Sequence, residues 1–250
     1  AGAHAARIFG DAMKVCFLGT SHAAQHLSRA AVEKGFELVE LNENPSLVFV
    51  SEDTPTNANG VRDLDVIRSF FFKAKSGLPV PLILTSQVPP GFTRSLRIPG
   101  LYHQAETLRI KDAEERARHP EMMIVGCADP AAPLPLAYSA YLRAFDCPIL
   151  TMSYESAEFA KCAINAFLIS QVETTNMLAR LAEKCGAQWG DVTRALHLDS
   201  RIGMQAYLTP GCWQDSRHLL RDYVTLLGLH GPSQNYESYP ANLIEALDMK

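Results

Sequence analysis

A lysine and an asparagine four residues apart are the first side chains in this sequence that could do chemistry. Lys161 and Asn165 lie within segment 156–185, which lacks proline and glycine and repeats apolar residues at intervals of three and four. That spacing predicts a long helix, on which residues four apart share one face. Burying an ammonium and an amide is costly unless both find partners. The pair is therefore either a structural hydrogen-bonding pair or the polar floor of a substrate site.

A cysteine that follows a Pro-Gly pair is the second such feature. Cys212 comes directly after Pro210 and Gly211, and Asp215 stands three residues further on. A thiol can attack an aldehyde to form a covalent intermediate, and a carboxylate can activate the water that releases the product. The alternative is that Cys212 is a small side chain packed between Gly211 and Trp213.

The segments before the long helix predict a sheet covered by helices, because short apolar runs alternate with helical patterns. The predicted strands are 14–18, 36–41, 82–85, 122–126 and 148–152, and the predicted helices are 21–34, a segment after Asn59-Gly60, and 131–145. A strand, a turn, a helix and a second strand open a Rossmann domain, where the helix start can hold an anion. The glycine fingerprint is poor, because Ser21 and Ala24 stand where two of the three glycines are expected.

We therefore predict an α/β fold with two domains. Residues 13–150 form a Rossmann-like parallel sheet domain, and residues 151–250 form an all-α domain built on a long central dimerisation helix. That helix is expected to start at a Ser156 cap, to end at Gly186 and to be covered on most sides. Shorter helices are predicted near 191–197 and 216–227. Residues 1–12 show no strand or helix pattern and are expected to be a vector-derived leader before Met13.

Several motifs resemble the UDP-glucose/GDP-mannose dehydrogenase family. The matching segments are AEFAKCAINAFLIS at 157–170, the T-P-T loop at 54–56, the V-P-P-G loop at 88–91 and the D-x-R-I-G element at 199–203. The first of these resembles the family's central-helix signature, in which a lysine and an asparagine line the catalytic site. The resemblance extends from Met13 to about Tyr223, and the family's C-terminal nucleotide-sugar domain does not fit in what remains.

This sequence departs from the family pattern at several positions. The connection after the second strand is short, so that a helix and a strand of the family are missing beside the adenosine half of the expected cofactor site. Gln87 replaces a threonine that helps to position the catalytic water, and Ile110 replaces a glutamate that takes part in proton transfer. Gln214 stands where the family has a lysine before Asp215.

The resemblance implies an oxidoreductase that uses NAD or NADP to oxidise a primary alcohol of a sugar or a small hydroxy compound. It implies that Cys212 forms a thiohemiacetal and then a thioester, while Asp215 orients the water. It also implies that Lys161 and Asn165 stabilise the oxyanion. The implied cofactor-binding residues are Gly19, Ser21, His22, Asn42, Thr54, Pro55 and Gln87, and the implied substrate-binding residues are Glu106, Arg109 and Arg201.

Further consequences concern partners and alternative functions. The family packs its long central helix against a twofold mate, so a homodimer through 156–185 is expected. A second interpretation is a cofactor-free family member that acts as a binding or scaffold protein, which the short connection and the replacements at Ser21 and Ile110 favour. A third keeps the pocket and uses Cys212 or Lys161 as the nucleophile of a lyase or transferase. Arg201 has a structural alternative, an ion pair with Asp199.

Composition excludes other classes of function. The chain has 250 residues, of which 47% are hydrophobic, which is enough for one large or two modest cores. A net charge of −4 without a basic tract argues against nucleic acid, and no apolar run approaches the roughly 20 residues that cross a membrane. The six cysteines lack C-x-x-C spacing and are expected to be reduced thiols of a cytoplasmic protein, mostly in the core. No metal-ligand cluster stands out among the eight histidines.

Overall fold

The computed structural model describes residues 7–8, 11–57, 62–74 and 80–230. The chain divides into two compact units: unit 1 comprises Ala1–Asn57 with Arg62–Lys161, and unit 2 comprises Ala58–Val61 with Cys162–Lys250. The division falls inside the long helix, between Lys161 and Cys162. Asn59 and Gly60, which the sequence predicts to form a loop, lie outside the described residues.

The described strands of unit 1 form a mostly parallel sheet of seven strands and a separate two-stranded sheet. They are β1 (Arg7–Ile8), β2 (Asp11–Ala12), β3 (Lys14–Leu18), β4 (Glu37–Leu38), β5 (Leu47–Val50), β6 (Leu82–Leu84), β7 (Leu101–Ala105), β8 (Met123–Cys127) and β9 (Ile149–Ser153). Among the described residues, seven strands pair in the order β4-β3-β5-β6-β7-β8-β9. Strands β7 and β8 pair antiparallel, and every other neighbouring pair of this sheet is parallel. The predicted α/β class is confirmed, with the difference that β8 and β9 run against the other strands.

Helices cover the sheet of unit 1 and make up most of unit 2. They are α1 (His22–Glu33), α2 (Asp65–Ala74), α3 (Phe92–Ser95), α4 (Ala113–Arg118), α5 (Leu136–Arg143), α6 (Tyr154–Cys185), α7 (Trp189–Leu198) and α8 (Arg217–His230). The five strands and three helices that the sequence predicted before the long helix are present, most of them within a few residues of the expected bounds.

The strands of the large sheet are apolar because both of their faces are covered. On one face Phe49 stacks on Phe17, with ring centroids 4.5 Å apart, and also contacts the ring of Tyr141. On the other face Val48 and Leu84 belong to a second buried cluster. A parallel strand that is buried on both faces does not alternate apolar and polar residues. Short runs such as the LIL of β6 therefore predict strands from sequence alone.

The second strand of the Rossmann unit is shorter than predicted. The prediction was a strand over 36–41, but β4 ends at Leu38 and a 3₁₀ turn covers Leu41–Glu43. The Glu43 carboxylate accepts the N–H of Glu40 at 2.7 Å, which closes a capping box around this turn. Such local polar contacts compete with the strand at the edge of the sheet, where β4 has only one neighbour.

The long helix α6 begins two residues earlier than predicted. The Oγ of Ser153 accepts a hydrogen bond from the N–H of Ser156 at 3.2 Å, so Ser153 rather than Ser156 is the N-terminal cap. At the other end Gly186 takes a left-handed φ of 77°. The N–H of Ala187 then donates to the carbonyl of Ala182 at 2.9 Å, which is the glycine-based end that the sequence predicts.

The outer surface of α6 keeps several large apolar side chains in contact with solvent. Phe167 is 74% exposed, and Phe159 and Leu181 are exposed as well. The expected covering of this helix on most sides is therefore not complete in the single chain, and the expected twofold mate remains a prediction. Periodicity identifies the apolar positions of a helix, but it does not tell how many neighbours cover them.

Two further expectations are corrected near the chain start and at a cysteine. Residues 7–8 and 11–12, inside the expected leader, pair as the antiparallel strands β1 and β2. Cys185, expected in the core, is exposed, whereas Cys16, Cys127 and Cys162 are buried free thiols. No helix in the described ranges is long and apolar enough to span a membrane. The described side chains also include no group of three or more His, Cys, Asp or Glu that could hold a metal ion.

A buried histidine on β7 makes the stability of this fold sensitive to acid. His103 is almost fully buried, and burial lowers its pKa to about 4, against a smaller opposite effect of a backbone hydrogen bond near Leu84. Between pH 6.5, where the unfolded side chain titrates, and pH 4, the unfolded chain binds a proton that the folded chain does not. The free energy of unfolding therefore decreases as the pH is lowered through this range, by up to about 3 kcal/mol from this group.

Replacing His103 with glutamine is expected to remove that part of the acid sensitivity. Urea unfolding at several pH values between 7.5 and 4, a range set by the usual histidine pKa of about 6.5, measures the slope. The matched control is His119→Gln, because His119 is exposed and should leave the slope unchanged. An unchanged slope in His103→Gln would show that other groups cause the acid sensitivity.

Candidate functional site

The turn between β3 and α1 needs a glycine because it passes very close to the neighbouring strand. Gly19 has a φ of 119°, in the region that side chains disfavour. A Cβ built on it would lie 2.4 Å from the carbonyl oxygen of Ser51, just past β5. The parallel register of β3 and β5 brings the two segments together at the carboxyl edge of the sheet, where open α/β sheets bind ligands.

Ser21 uses its side chain to start helix α1. Its Oγ accepts the N–H of Ala24 at 3.0 Å and donates to the carbonyl of Ser51 at 2.6 Å. The side chain predicted to obstruct a pyrophosphate is thus a helix cap that also ties the turn to β5. On the next turn, His22 and His26 face each other with their Nε2 atoms 3.0 Å apart. Partial burial, and then the nearby His22, lower the pKa of His26.

A glutamate that the sequence analysis missed lies against this turn. The Glu52 carboxylate accepts the N–H of Thr20 at 2.8 Å through Oε2 and the N–H of Asp53 at 2.8 Å through Oε1. The hydroxyl of Thr20 lies 3.3 Å from the same Oε2. Glu52 itself is held from the other side, because its N–H donates to the Oγ of the buried Ser86 at 2.9 Å. An acidic residue two positions after a buried apolar run was the signal that could have revealed it.

The other predicted cofactor-binding residues only partly come together. The Oγ1 of Thr54 donates to the carbonyl of Gln87 at 3.1 Å, and the guanidinium of Arg62 contacts both residues at 3.4 and 3.2 Å. The loops after β5 and β6 are therefore joined at the same edge as the turn. Pro55 is exposed beside them, and Asn42 is exposed in the 3₁₀ turn after β4.

The backbone N–H donors of the turn after β3 fit a dinucleotide, but the N–H of Thr20 already binds the carboxylate of Glu52. The close turn at Gly19 and the start of the 12-residue helix α1 are the parts that bind a pyrophosphate in dinucleotide sites. The N–H of Thr20 is available to such a ligand only when the Glu52 side chain leaves it. Because Glu52 is half-buried rather than packed in the core, its side chain can rotate away, and the residues then fit the cofactor.

Two predicted substrate-binding residues follow β7 and are held by local contacts. Glu106 accepts the N–H of Leu108, and Arg109 pairs with Asp112, its Nε 3.0 Å from Oδ1. The Arg109 guanidinium lowers the pKa of the Asp112 carboxyl. Glu106 also lines a small cavity near the carboxyl edge of the sheet; Leu27, Thr85, Gln104, Arg116 and Met123 are among its other lining residues. Ile110, where the family has an acid, is 75% exposed.

A second missed carboxylate lies on α6, three residues before Lys161. Glu158 is fully buried and accepts the N–H of Gly91 at 2.6 Å and the N–H of Thr93 at 2.8 Å. Burial raises the pKa of Glu158, and these hydrogen bonds act in the opposite direction. The long helix thereby holds the V-P-P-G loop in place at the start of α3. Lys161, one turn further on, is half-buried.

In unit 2, the amide of Asn165 is paired with a buried acid. Its Nδ2 donates to Oδ2 of Asp222 on α8 at 2.5 Å, and both side chains are buried. The predicted catalytic amide thus has a charged side-chain partner. Asp222 is not among the residues that the sequence predicts to be functional, because it is one of several polar residues in the first half of α8.

Polar side chains of α6 form hydrogen bonds with the backbone of the loop that contains Cys212. Asn176 brackets Gly211, donating to its carbonyl at 2.7 Å and accepting its N–H at 2.9 Å. Earlier in the loop, Thr175 donates to the carbonyl of Tyr207 at 2.7 Å. Cys212 follows this anchor with an exposed side chain, its Sγ 3.2 Å from Oε1 of Gln214. A backbone fixed on one side and a solvent-facing thiol are compatible with a nucleophile.

The remaining predicted residues of unit 2 lie at its surface. Asp215 is exposed at the end of a 3₁₀ turn over Trp213–Asp215. Arg201 forms a bidentate ion pair with Asp199, with distances of 3.0 and 2.7 Å. That pair lowers the pKa of Asp199 and raises the pKa of Arg201. The ion pair that the sequence analysis gave as the structural alternative for Arg201 is therefore formed.

A mostly parallel sheet with a dinucleotide-type turn, followed by a helical unit built on a long helix, defines a dehydrogenase-like α/β protein. Residues 155–248 match the model of the UDP-glucose/GDP-mannose dehydrogenase family, central domain. The predicted resemblance to this family is thereby confirmed.

Curated relatives and solved structures agree with this resemblance. UDP-glucose 6-dehydrogenase of Pseudomonas aeruginosa is 27% identical over 228 residues, which cover 84% of this chain and 49% of that protein. UDP-glucose 6-dehydrogenase TuaD of Bacillus subtilis is 34% identical over 103 residues, 41% of this chain and 21% of that protein. The chain thus spans half of these relatives or less. A UDP-glucose dehydrogenase structure from Pyrobaculum islandicum has the same fold, with a TM-score of 0.66, 19% identity and coverage of 89% of this chain and 65% of that one.

Proposed function

We propose that this protein is an NAD- or NADP-dependent oxidoreductase that oxidises a primary alcohol of a sugar or nucleotide sugar to the acid. The observation that carries the proposal is the match over 155–248, which includes the helix with Lys161 and Asn165 and the loop with Cys212. The curated relatives are named as UDP-glucose 6-dehydrogenases, so UDP-glucose is the first substrate to test.

The proposed chemistry consists of two oxidations separated by a covalent step. NAD or NADP held at the carboxyl edge of the sheet would supply the oxidant. One molecule would take a hydride from the alcohol carbon, and a second, bound after the first has left, would take one from the thiohemiacetal carbon, with the hydroxyl proton released to solvent each time. Between these two transfers, the Cys212 sulfur adds to the aldehyde carbon, and its proton goes to the aldehyde oxygen. Water then attacks the resulting thioester, which frees the acid and returns the thiol. Asp215 is proposed to orient that water.

Lys161 and Asn165 are proposed to bind the oxygen of the reacting carbon. An ammonium and an amide N–H stabilise negative charge that develops on this oxygen in each covalent step. The pairing of Asn165 with Asp222 supports a positioning role for Asp222, because one amide hydrogen is held by the carboxylate and the orientation of the amide is thereby fixed.

The residues proposed to hold the cofactor are those at the carboxyl edge of the sheet. Gly19, Ser21 and His22 would meet the pyrophosphate, whereas Thr54, Pro55 and Gln87 would line the adjoining part of the cofactor. Asn42 would bind a ribose hydroxyl, without the strength of a charged acceptor. For the substrate, Glu106, Arg109 and Arg201 remain the proposed contacts.

We extend the proposal to a homodimer through α6 in the cytoplasm. Phe167, Leu198 and Met204 are exposed apolar side chains of unit 2, and large exposed apolar side chains are common at interfaces between subunits. Six free cysteines are in keeping with a reducing compartment.

A cofactor-free role is the second candidate function, and the turn of unit 1 favours it. Glu52 and Ser21 occupy hydrogen-bonding positions where a pyrophosphate is expected, and Ile110 replaces a proton-transferring acid. In that case the protein binds or scaffolds, or it uses Cys212 or Lys161 as the nucleophile of a lyase or transferase. A covalent adduct between a sugar and either residue, formed in the absence of nicotinamide, would support the lyase or transferase function.

Calorimetric titration with NAD and NADP is the direct test of the cofactor. Saturable binding of at least one of them is expected, followed by its reduction when UDP-glucose is added. Binding and reduction are measured separately, because a cofactor can bind even where UDP-glucose is not the substrate. Absence of binding at millimolar concentrations of both cofactors would leave the cofactor-free alternative.

A further inference from the structure

The carboxylate of Glu52 lies on the one turn of the sheet where a dinucleotide needs backbone N–H donors. It accepts the N–H of Thr20 at 2.8 Å, the next residue after Gly19. Helix α1 starts two residues later, so the carboxylate lies beside the positive end of a 12-residue helix. In effect the turn has bound an anion from its own chain.

This contact results from the pairing of strands in the fold and not from a chance orientation of a surface side chain. Strands β3 and β5 pair in register, with Leu18 opposite Val50, so residues just beyond them meet. The backbone of Glu52 is fixed by the buried Ser86 on the β6 side at 2.9 Å. Its second oxygen is fixed by the N–H of Asp53 at 2.8 Å. The backbone N–H and both carboxylate oxygens of Glu52 therefore have hydrogen-bonding partners in this position.

A pyrophosphate cannot share this position with a carboxylate. Both are anions that accept hydrogen bonds, and like charges at contact distance repel strongly when they are partly shielded from water. The exposed carboxylate of Asp53 adds a second negative charge next to the first. A dinucleotide must therefore displace Glu52 before the N–H of Thr20 can serve it.

We propose that Glu52 is an intramolecular competitor that occupies the phosphate position of the turn after β3 and sets how tightly this protein binds a dinucleotide. This inference rests on the proposed use of NAD or NADP. The bound state differs from the free state by a rotation of the Glu52 side chain away from Thr20. Affinity for any diphosphate ligand is reduced by the fraction of molecules in which Glu52 is bound to the turn.

The test compares Glu52→Ala with the matched variant Glu37→Ala. Glu37 is an exposed acid on the same sheet, and it pairs with Lys14 at the amino end of β3, far from the turn. Both variants remove one negative charge, but only Glu52→Ala frees the N–H of Thr20. Calorimetry with NAD and with inorganic pyrophosphate measures affinity without any need for turnover.

Glu52→Ala is expected to bind both ligands about tenfold more tightly or better, the factor that follows when one competing charge-assisted hydrogen bond is lost. Glu37→Ala is expected to match the unaltered protein. Glu52→Gln keeps a hydrogen-bond acceptor without the charge and should lie between the two. It also serves as the comparison if Glu52→Ala does not fold, since its side chain has the same shape.

The outcomes separate this inference from the proposed function. Equal NAD affinity in Glu52→Ala and the unaltered protein overturns the competitor role while the oxidoreductase proposal stands. Tighter pyrophosphate binding without NAD binding in any variant supports the competitor role and removes the cofactor from the proposed function. If no variant binds either ligand, removal of Glu52 does not open the turn, and both proposals fail.

Discussion

Replacing Cys212 with serine is expected to lower formation of the acid product by about a thousandfold or more. A serine hydroxyl is a far weaker nucleophile than a thiol near neutral pH, and it does not form the thioester from which water releases the acid. The loop itself should be unaffected, because the two hydrogen bonds between Asn176 and Gly211 do not involve the Cys212 side chain. The measurement is the rate of acid formation from the substrate that reduces the nicotinamide, followed by mass spectrometry.

Cys185→Ser is the matched control for that experiment. Cys185 is also an exposed free thiol of unit 2, located at the end of α6, and no proposed step uses it. Its replacement should leave the rate unchanged within twofold or so. If Cys212→Ser retains acid formation within about tenfold of the unaltered protein, the reaction does not pass through a covalent adduct of this thiol. Another mechanism must then account for the acid.

Replacing Glu158 with alanine is expected to cost about 4 kcal/mol of unfolding free energy. The carboxylate is fully buried and is the acceptor for the N–H groups of Gly91 and Thr93. Its removal leaves the buried N–H of Thr93 and the part-buried N–H of Gly91 without this acceptor and opens a cavity beside the start of α6. Losses of several kcal/mol are typical when one side of a buried charged hydrogen-bonding group is removed. Urea unfolding followed by circular dichroism measures the change.

Glu155→Ala supplies a matched comparison from the same helix. Glu155 pairs with Arg94, which lowers the pKa of Glu155 to about 2, yet both side chains are substantially exposed. Exposed ion pairs contribute up to about 1 kcal/mol at most, so this variant should lose little. Similar losses in the two variants would mean that the buried contacts of Glu158 do not stabilise the fold as the geometry indicates. A separate readout, protease cleavage within the V-P-P-G loop, should increase only in Glu158→Ala.

Glu158 and Glu52, two of the three carboxylates missing from the predicted site, explain why a local pattern is not enough. Glu158 stands in a helical segment whose periodicity is unaffected by one polar residue, so the pattern predicts the helix but not the partner. Its hydrogen-bonding partners lie 67 and 65 residues earlier in the chain. Glu52 likewise meets Thr20 across 32 residues, through the pairing of β3 with β5.

Local chemistry is sufficient where the determining contacts lie within one turn or one strand. The end of α6 at Gly186 follows from a residue that tolerates φ of 77°, and Ser21 caps α1 through its own Oγ. The run LIL of β6 is fully buried, so its apolar character alone predicted a strand. The resemblance to nucleotide-sugar dehydrogenases likewise depends on neighbouring residues, such as Lys161 and Asn165, and the match over 155–248 agrees with it.

The sequence by itself therefore indicated the α/β class, most of the strands and helices, and the residues whose chemistry is worth testing. The tertiary structure alone decided that β8 runs antiparallel to β7, that Asn165 is paired with Asp222, and that Glu52 lies on the phosphate turn. The physical reason is that periodicity and caps act over a few residues. Strand direction and the partners of buried polar groups depend on which distant segments the register of the sheet and the packing of helices bring together.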